Sequence, residues 1–157
     1  MSPLVLNIGL ALVWCLLTGS GNPWNFIAGL VVGALVVSGY ARLRDQPPYI
    51  GKIVKLVRFG WYFLVILAKA NIEVAKDIAT PGFRMKPGIL RYPVRELTPV
   101  QRVSLANAIT LTPGTLVVDV CPGGEYLYVH CMYAEDRDEA LADIDELADR
   151  MKREVFA

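Results

Sequence analysis

The sequence predicts an α+β protein with membrane helices: an N-terminal transmembrane helical hairpin, a third amphipathic or membrane helix, and a small ferredoxin-like (β-α-β-β-α) cytoplasmic domain. Residues 1–41 contain no Asp, Glu, Lys, Arg or His. Residues 42–102 hold twelve basic and four acidic residues, whereas residues 103–157 hold four basic and eleven acidic ones. A neutral apolar head, a basic middle and an acidic tail are typical of a membrane anchor, a juxtamembrane region and a soluble domain. The three predicted segments are, in that order, 1–43, 50–79 and 86–157.

The overall composition excludes two broad classes of protein. With 54% hydrophobic and only 20% charged residues, the chain has too much apolar surface to be disordered. The formal net charge of +1 argues against a nucleic-acid-binding protein, because such proteins carry a clear basic excess.

Two apolar runs, residues 4–17 and 24–40, predict the hairpin. The segment between them ends in Asn22 and Pro23, which favour a turn followed by a new helix. The first run is shorter than the roughly 20 residues that a spanning helix needs, so the pair is either a tight hairpin of short spans or a re-entrant pair packed against larger neighbours. The second run contains the GxxxG motif GLVVG at residues 29–33, whose small residues let another helix approach closely.

A third helix is predicted over residues 53–78, but its uncharged centre, residues 59–68, is too short to cross a bilayer by itself. One interpretation is a third span with charged ends, and the other is an amphipathic helix on the cytoplasmic surface. Both flanks are basic, which favours two true spans because cytoplasmic segments collect Lys and Arg. The basic flanking residues are Arg42, Arg44, Lys52, Lys55 and Arg58 before the centre, and Lys76, Arg84, Lys86, Arg91 and Arg95 after it.

Lys69 and Glu73 carry the main functional hypothesis for this helix. They are four residues apart and therefore share one helical face. If the helix spans the membrane, they lie at a subunit interface or beside an ion path. The alternative is a solvated face at headgroup level, which is the ordinary place for charge near the end of a helix.

The C-terminal region shows patterns in the order strand, helix, strand, strand, helix. Residues 89–94 are predicted as a strand, at a sheet edge because they include a proline. Capping signals at Thr98 and Asp136 predict the starts of the two helices. Residues 115–121 and 126–133 flank a Pro-Gly-Gly turn and predict a β-hairpin.

Alternation along the first strand of that β-hairpin predicts its two faces. Leu116, Val118 and Val120 are expected on one face, and Asp119 on the other.

The sequence predicts neither an enzyme nor a metal or cofactor site. It contains no CxxC motif and no Cys/His ligand spacing. His130 is the only histidine and stands in no nucleophile motif, and Asp119 alone is too few carboxylates for a hard cation. A disulfide between Cys121 and Cys131 is conceivable, although a reduced cytoplasmic pair is the simpler interpretation.

Several motifs, spread over nearly the whole chain, resemble one family. They are GNPWN at residues 21–25, KPGI at 86–89, ANAITLTPGTL at 106–116, VDV at 118–120 and LYVH at 127–130. In this order they are similar to the E subunit of the multisubunit (Mrp-type) Na⁺/H⁺ antiporter family. The motif residues expected to have structural roles are Asn22, Pro23, Asn107, Thr110, Thr112, Pro113 and Gly114. Among these, Asn107 is expected to satisfy backbone groups near a helix end, and Pro113-Gly114 to form a sharp turn.

The resemblance implies an accessory subunit of a hetero-oligomeric complex in the bacterial cytoplasmic membrane. Such a complex exchanges Na⁺, and in some cases other monovalent cations, for H⁺, and the E subunit is needed for assembly or full activity rather than for carrying the ion. The implied partners are the other membrane subunits and the lipid bilayer, with no nucleic acid and no cofactor. The implied topology is multi-pass with a cytoplasmic C-terminal domain. The alternative from the residues is a membrane-anchored domain that senses a small ligand or an ion.

Overall fold

The structure, a computed structural model, describes residues 3–44, 48–82 and 85–156. The chain divides into two compact units, Met1–Val57 and Arg58–Ala157. Arg84, one of the predicted flanking cations, lies outside the described residues, as do the first two residues of the predicted hairpin and the last residue of the predicted cytoplasmic domain.

The first unit contains α1 (Pro3–Thr18), α2 (Pro23–Leu43) and the beginning of α3 (Tyr49–Ala79). The Asn22 side chain caps α2 by accepting a hydrogen bond from the backbone N–H of Trp24 at 3.1 Å. Within the described ranges, α2 is the one helix both long and apolar enough to cross a membrane, whereas α1 is a shorter apolar helix of 16 residues.

Two glycines of α2 form its contact with α1. A Cβ atom at Gly29 would lie 3.0 Å from the Cα of Ala11, and a Cβ at Gly33 would overlap Oδ1 of Asn7. A larger residue at either position would require α1 or the Asn7 side chain to shift, because these distances are shorter than ordinary Cβ contacts. The close helix approach predicted from the GxxxG motif is therefore confirmed, with α1 as the neighbour.

The second unit contains the remainder of α3 and a sheet domain, which we define as residues 88–155. The sheet order is β1-β3-β2, with both outer strands antiparallel to β3. The predicted order of strand, helix, strand, strand, helix is confirmed, and β1 with its proline is an edge strand. The elements are β1 (Gly88–Pro93), α4 (Pro99–Leu111), β2 (Thr115–Val120), β3 (Tyr126–Cys131) and α5 (Arg137–Val155).

The core of the sheet domain lies between one sheet face and the helices α4 and α5. Alternate residues of β3 are buried, and apolar residues of α5 recur at helical spacing on one side. The largest fully buried side chains are Leu105, Ile109, Leu127, Met151, Val94 and Val129.

The predicted faces of β2 were wrong. A β-bulge lies between Val117 and Asp119, so that Leu116 pairs with His130 and Asp119 pairs with Tyr128. Because His130 and Tyr128 are two residues apart on β3, Leu116 and Asp119 share a face, the one turned away from the core. Val117 packs against the core instead.

The same register excludes the Cys121–Cys131 disulfide. Cys131 pairs with Thr115 at one end of the β-hairpin, while the N–H of Cys121 donates to the carbonyl of Tyr126 at the other. Both cysteines are free, as is Cys15.

Candidate functional site

A groove of about 1060 Å³ runs between α3 and the sheet domain, within the second unit. It brings together two sets of residues that are far apart in sequence. Lys69 and Glu73 contribute from α3, and Thr112, Pro113 and Gly114 contribute from the turn between α4 and β2. The charged pair and the end of the long family motif therefore line one surface.

Hydroxyl groups hold the end of α4, which forms part of the groove wall. The Thr112 hydroxyl donates to the carbonyl of Ala108 at 3.0 Å, and the Thr115 hydroxyl donates to the carbonyl of Ile109 at 2.6 Å. These bonds satisfy carbonyls that a helix end leaves without partners. Asn107, predicted to serve this purpose, lies exposed on α4 and makes neither bond.

The turn after α4 needs its glycine. Gly114 has a φ of +88°, a conformation that side-chain-bearing residues rarely adopt, and the Pro113-Gly114 turn appears where it was predicted. The Gly114 carbonyl accepts a hydrogen bond from the N–H of Met132 at 2.8 Å, which ties the turn to the end of β3. Thr110 accepts a longer bond from the N–H of Val117 at 3.4 Å and so links α4 to β2.

Side chains from α5 and from the segment after β3 hold α3 along the groove. The Tyr133 hydroxyl donates to Oδ2 of Asp77 at 2.5 Å, and this hydrogen bond raises the pKa of Tyr133 to about 12. The Arg150 guanidinium lies 4.0 Å from the ring centroid of Tyr62, within the range of a cation–π contact. Arg150 also donates from Nε to Oε1 of Glu146 at 3.2 Å.

The groove has an acidic rim and a partly apolar lining. Seven carboxylates and three basic side chains line it. The carboxylates are Glu73, Asp77, Glu135, Asp136, Glu139, Asp143 and Glu146, and the basic residues are Lys69, Lys76 and Arg150. Apolar residues including Ile109, Ile144 and Leu147 lie between them. Such a surface attracts a positively charged segment that also has apolar side chains to bury.

Asn22 and Pro23 belong to the first unit, where sequence reasoning missed the role of the neighbouring Asn25. Its amide nitrogen donates to the Thr18 hydroxyl at 2.5 Å and to the Ser20 carbonyl at 2.8 Å. Its amide oxygen accepts from the indole N–H of Trp14 at 3.1 Å. Asn25 thereby joins the end of α1, the turn and the start of α2. The sequence signal for this role was a Trp and an Asn on opposite sides of a predicted turn.

Asn7 is the second residue that the sequence did not single out. It is only 4% exposed, between α1 and α2, and within the described residues its Oδ1 has no hydrogen-bond partner. The available signal was the single amide of the first apolar run, residues 4–17, one helical turn before Ala11.

The other residues considered from the sequence lie outside the groove. Asp119 and His130 are on the outer face of the sheet, and neither lines the groove. Across residues 3–44, 48–82 and 85–156, no three His, Cys, Asp or Glu side chains cluster to hold a metal ion.

Two solved membrane complexes contain chains similar to this one. A chain of the archaeal membrane-bound sulfane sulfur reductase, a respiratory membrane complex, is 29% identical with a TM-score of 0.51, covering 85% of this chain and 84% of that chain. A chain of the Mrp complex from a Dietzia species is 32% identical with a TM-score of 0.49, covering 62% of this chain and 93% of that one.

Family and sequence comparisons cover nearly the full length. The family model described as Na⁺/H⁺ ion antiporter subunit matches residues 7–155. The Na⁺/H⁺ antiporter E subunit of Bacillus subtilis is 32% identical over 152 residues, and the E1 subunit of Staphylococcus haemolyticus is 33% identical; each alignment covers 97% of this chain and 96% of the relative. The chain therefore belongs to the family of Na⁺/H⁺ antiporter E subunits.

Proposed function

We propose that this chain is an accessory, structural subunit of a hetero-oligomeric antiporter that expels Na⁺ or a similar monovalent cation in exchange for H⁺. The observation that supports this most directly is the family match over residues 7–155. Ion movement at membrane depth needs ionisable groups, and residues 1–41 have no Asp, Glu, Lys, Arg or His. The chain is therefore needed for assembly or full activity and leaves ion transport to its partners.

The proposed topology is multi-pass in the bacterial cytoplasmic membrane. Residues 1–43 form a transmembrane hairpin, 50–79 a third membrane or interfacial helix, and 86–157 a cytoplasmic domain. The length and apolarity of α2 support the first assignment, and the basic excess of residues 42–102 supports a cytoplasmic location for the C-terminal domain. The β1-β3-β2 order, with both outer strands antiparallel to β3, is that of a ferredoxin-like sheet lacking one edge strand.

The groove is the proposed subunit interface, and Lys69 and Glu73 belong to it. Both side chains are exposed beside the acidic rim, which favours a role at an interface over one beside an ion path. The occupant that fits is a Lys- or Arg-bearing cytoplasmic segment of a neighbouring membrane subunit, because cytoplasmic loops carry such residues in excess.

The family-motif residues have structural roles in this proposal. Asn22 and Pro23 set the start of α2, and Thr112, Pro113 and Gly114 shape the turn that lines the groove. Thr110 links α4 to β2.

Omission of the chain tests the proposed function. The other antiporter subunits are expressed with and without it, and Na⁺/H⁺ exchange is measured in everted membrane vesicles together with recovery of the complex. We expect both to be lost without the chain and restored when it is supplied. Normal assembly with full exchange in its absence would overturn the proposal.

Two matched charge changes on α5 test the groove. Glu139→Gln with Asp143→Asn neutralises two groove carboxylates, while Asp138→Asn with Asp149→Asn removes the same charge from residues of α5 that do not line the groove. The first pair is expected to reduce co-purification of the neighbouring subunits at low salt, and the second to leave it unchanged; the difference should shrink at raised salt, which screens the same attraction in the parent chain. Equal effects of the two pairs would contradict the assignment of the groove.

A further inference from the structure

The charges of α3 occupy one side of the helix along its whole length. At about 100° per residue, all seven charged side chains fall within a sector of about 120°. They are Lys52, Lys55, Arg58, Lys69, Glu73, Lys76 and Asp77. The remaining arc of about 240° holds no Asp, Glu, Lys or Arg over 31 residues, or about 46 Å of helix.

The uncharged arc is uncovered in this structure. Val57 is 64% exposed, Trp61 71%, Leu64 59% and Ile72 54%, and no residue of α3 is fully buried. An apolar stripe of this length is unusual on a surface that faces water, and it marks a place where a partner or a membrane binds.

Over residues 58–79, the part of α3 that belongs to the second unit, the charged sector faces the sheet domain. Arg58 approaches Glu154 with Nη2 at 3.7 Å from Oε1, and Asp77 accepts the hydrogen bond of Tyr133. These two contacts are 19 residues apart, or about 28 Å along the helix, close to the thickness of a bilayer's hydrocarbon core. A helix held along a charged domain over that distance is not surrounded by lipid tails.

We infer that α3 lies in the plane of the membrane surface, with its uncharged arc seated at the boundary between headgroups and acyl chains of an anionic leaflet. The membrane setting rests on the proposed function. Only residues 44–48 separate α2 from α3, and five residues reach at most about 17 Å, so α3 starts close to the surface where α2 ends. Lys52 and Lys55 are exposed and lie outside the groove, so their charge is available to a negative headgroup layer, and Trp61 suits the interfacial level.

Depth measurements along the uncharged arc test this inference. Nitroxide labels are placed one at a time on cysteines replacing Trp61, Leu64, Ala68 and Ile72, in a chain whose native cysteines are alanine. The labelled chain is assembled in its complex in vesicles of equal parts phosphatidylethanolamine and phosphatidylglycerol. We expect all four labels at a similar depth, about 5–10 Å below the headgroups.

Two results would overturn the inference. A label depth that increases toward the middle of α3 and then decreases would show that α3 is a third membrane span. Labels shielded from both oxygen and a water-soluble relaxing agent would mean that another subunit covers the arc. Either result would leave the proposed accessory function intact, because that proposal is rejected only if the complex assembles and exchanges ions normally without this chain.

A matched pair of variants tests whether the depth of the label depends on contact between the uncharged arc and lipid, or would change with a charge at any equally exposed position. Leu64 on α3 and Ile89 on the outer sheet face are each 59% exposed. Leu64→Glu is expected to move a label at Ala68 toward water, whereas Ile89→Glu should leave its depth unchanged. Equal shifts, or no shift in either variant, would contradict the inference.

Replacing phosphatidylglycerol with phosphatidylcholine should make the label at Ala68 shallower, and an unchanged depth would contradict the anionic preference.

Discussion

The two units of this chain bury opposite kinds of residue. In the first unit Leu16 is 81% exposed and Trp24 77%, while Asn7 is buried together with small residues of α2. In the sheet domain Leu105 and Val129 are wholly buried, and the charged side chains lie at the surface. Each arrangement suits a different solvent: hydrocarbon for the first unit and water for the second.

The difference shows what drives packing in each place. In the proposed membrane setting, lipid tails are as apolar as leucine, so α1 and α2 would gain nothing by hiding leucines and meet instead through glycines and amide hydrogen bonds. The sheet domain is stabilised mainly by apolar burial, with exposed ion pairs such as Arg95 with Glu125 adding little. Mutations of equal size should therefore act differently in the two units.

The largest effect is expected from opening the core of the sheet domain. Leu127→Ala, at a residue 1% exposed, should destabilise that domain by about 2–5 kcal/mol. Leu111→Ala, at a residue 65% exposed, is the control and should change stability by less than about 0.5 kcal/mol. Denaturant unfolding of the full chain in mild detergent, followed by circular dichroism, measures both. Similar losses in the two variants would contradict the assigned core.

Next is the contact between α1 and α2. Gly33→Leu places a side chain against Asn7 and should cost about 1–3 kcal/mol or more, because neither helix backbone can yield cheaply. Gly39→Leu on the same helix is the control, since nothing lies within 4 Å of a Cβ there. The amount of chain recovered in membranes with its complex should fall several-fold for the first variant only. Equal recovery would contradict the close approach of the two helices.

How far each unit could be predicted depends on the range of its interactions. The Thr98–Gln101 capping box, the order of strands and helices, and the GxxxG contact are local or periodic features, and the sequence predicted them. The β-bulge in β2 could not be predicted from the sequence, because Val118 continues the alternation of apolar residues along the strand. The groove depends on contacts such as that of Tyr133 with Asp77, 56 residues apart, which no local pattern specifies.

Loss of the Asn25 amide should have a moderate effect on the first unit. Asn25→Ala removes three hydrogen bonds and leaves Trp14 without its partner, at an expected cost of about 1–3 kcal/mol. Asn107→Ala, an exposed amide on α4, is the control for stability. Tryptophan emission in detergent should shift for the first variant alone. An unchanged spectrum would contradict the role assigned to Asn25.

The smallest effect concerns the hydrogen bond that joins α3 to the sheet domain. The Asp77 hydrogen bond raises the pKa of Tyr133 from 10.0 to about 12, so its stabilising contribution is complete below pH 10 and disappears as the pH rises from 10 to 12. Tyr133→Phe should cost about 0.5–1.5 kcal/mol below pH 10 and nothing above pH 12. Denaturant unfolding across this pH range compares the two proteins. A difference that does not vary with pH would contradict the assignment.

Cysteine accessibility tests most directly the claim that the α1–α2 hairpin lies in the membrane and the sheet domain in the cytoplasm. Leu35→Cys on α2, at a residue 60% exposed, and Asp138→Cys on α5 are made in the cysteine-free chain within its complex. In everted vesicles, a membrane-impermeant maleimide should label the cysteine at position 138 rapidly and the one at position 35 only after detergent is added. Rapid labelling at position 35 in intact vesicles, or protection at position 138, would contradict the account.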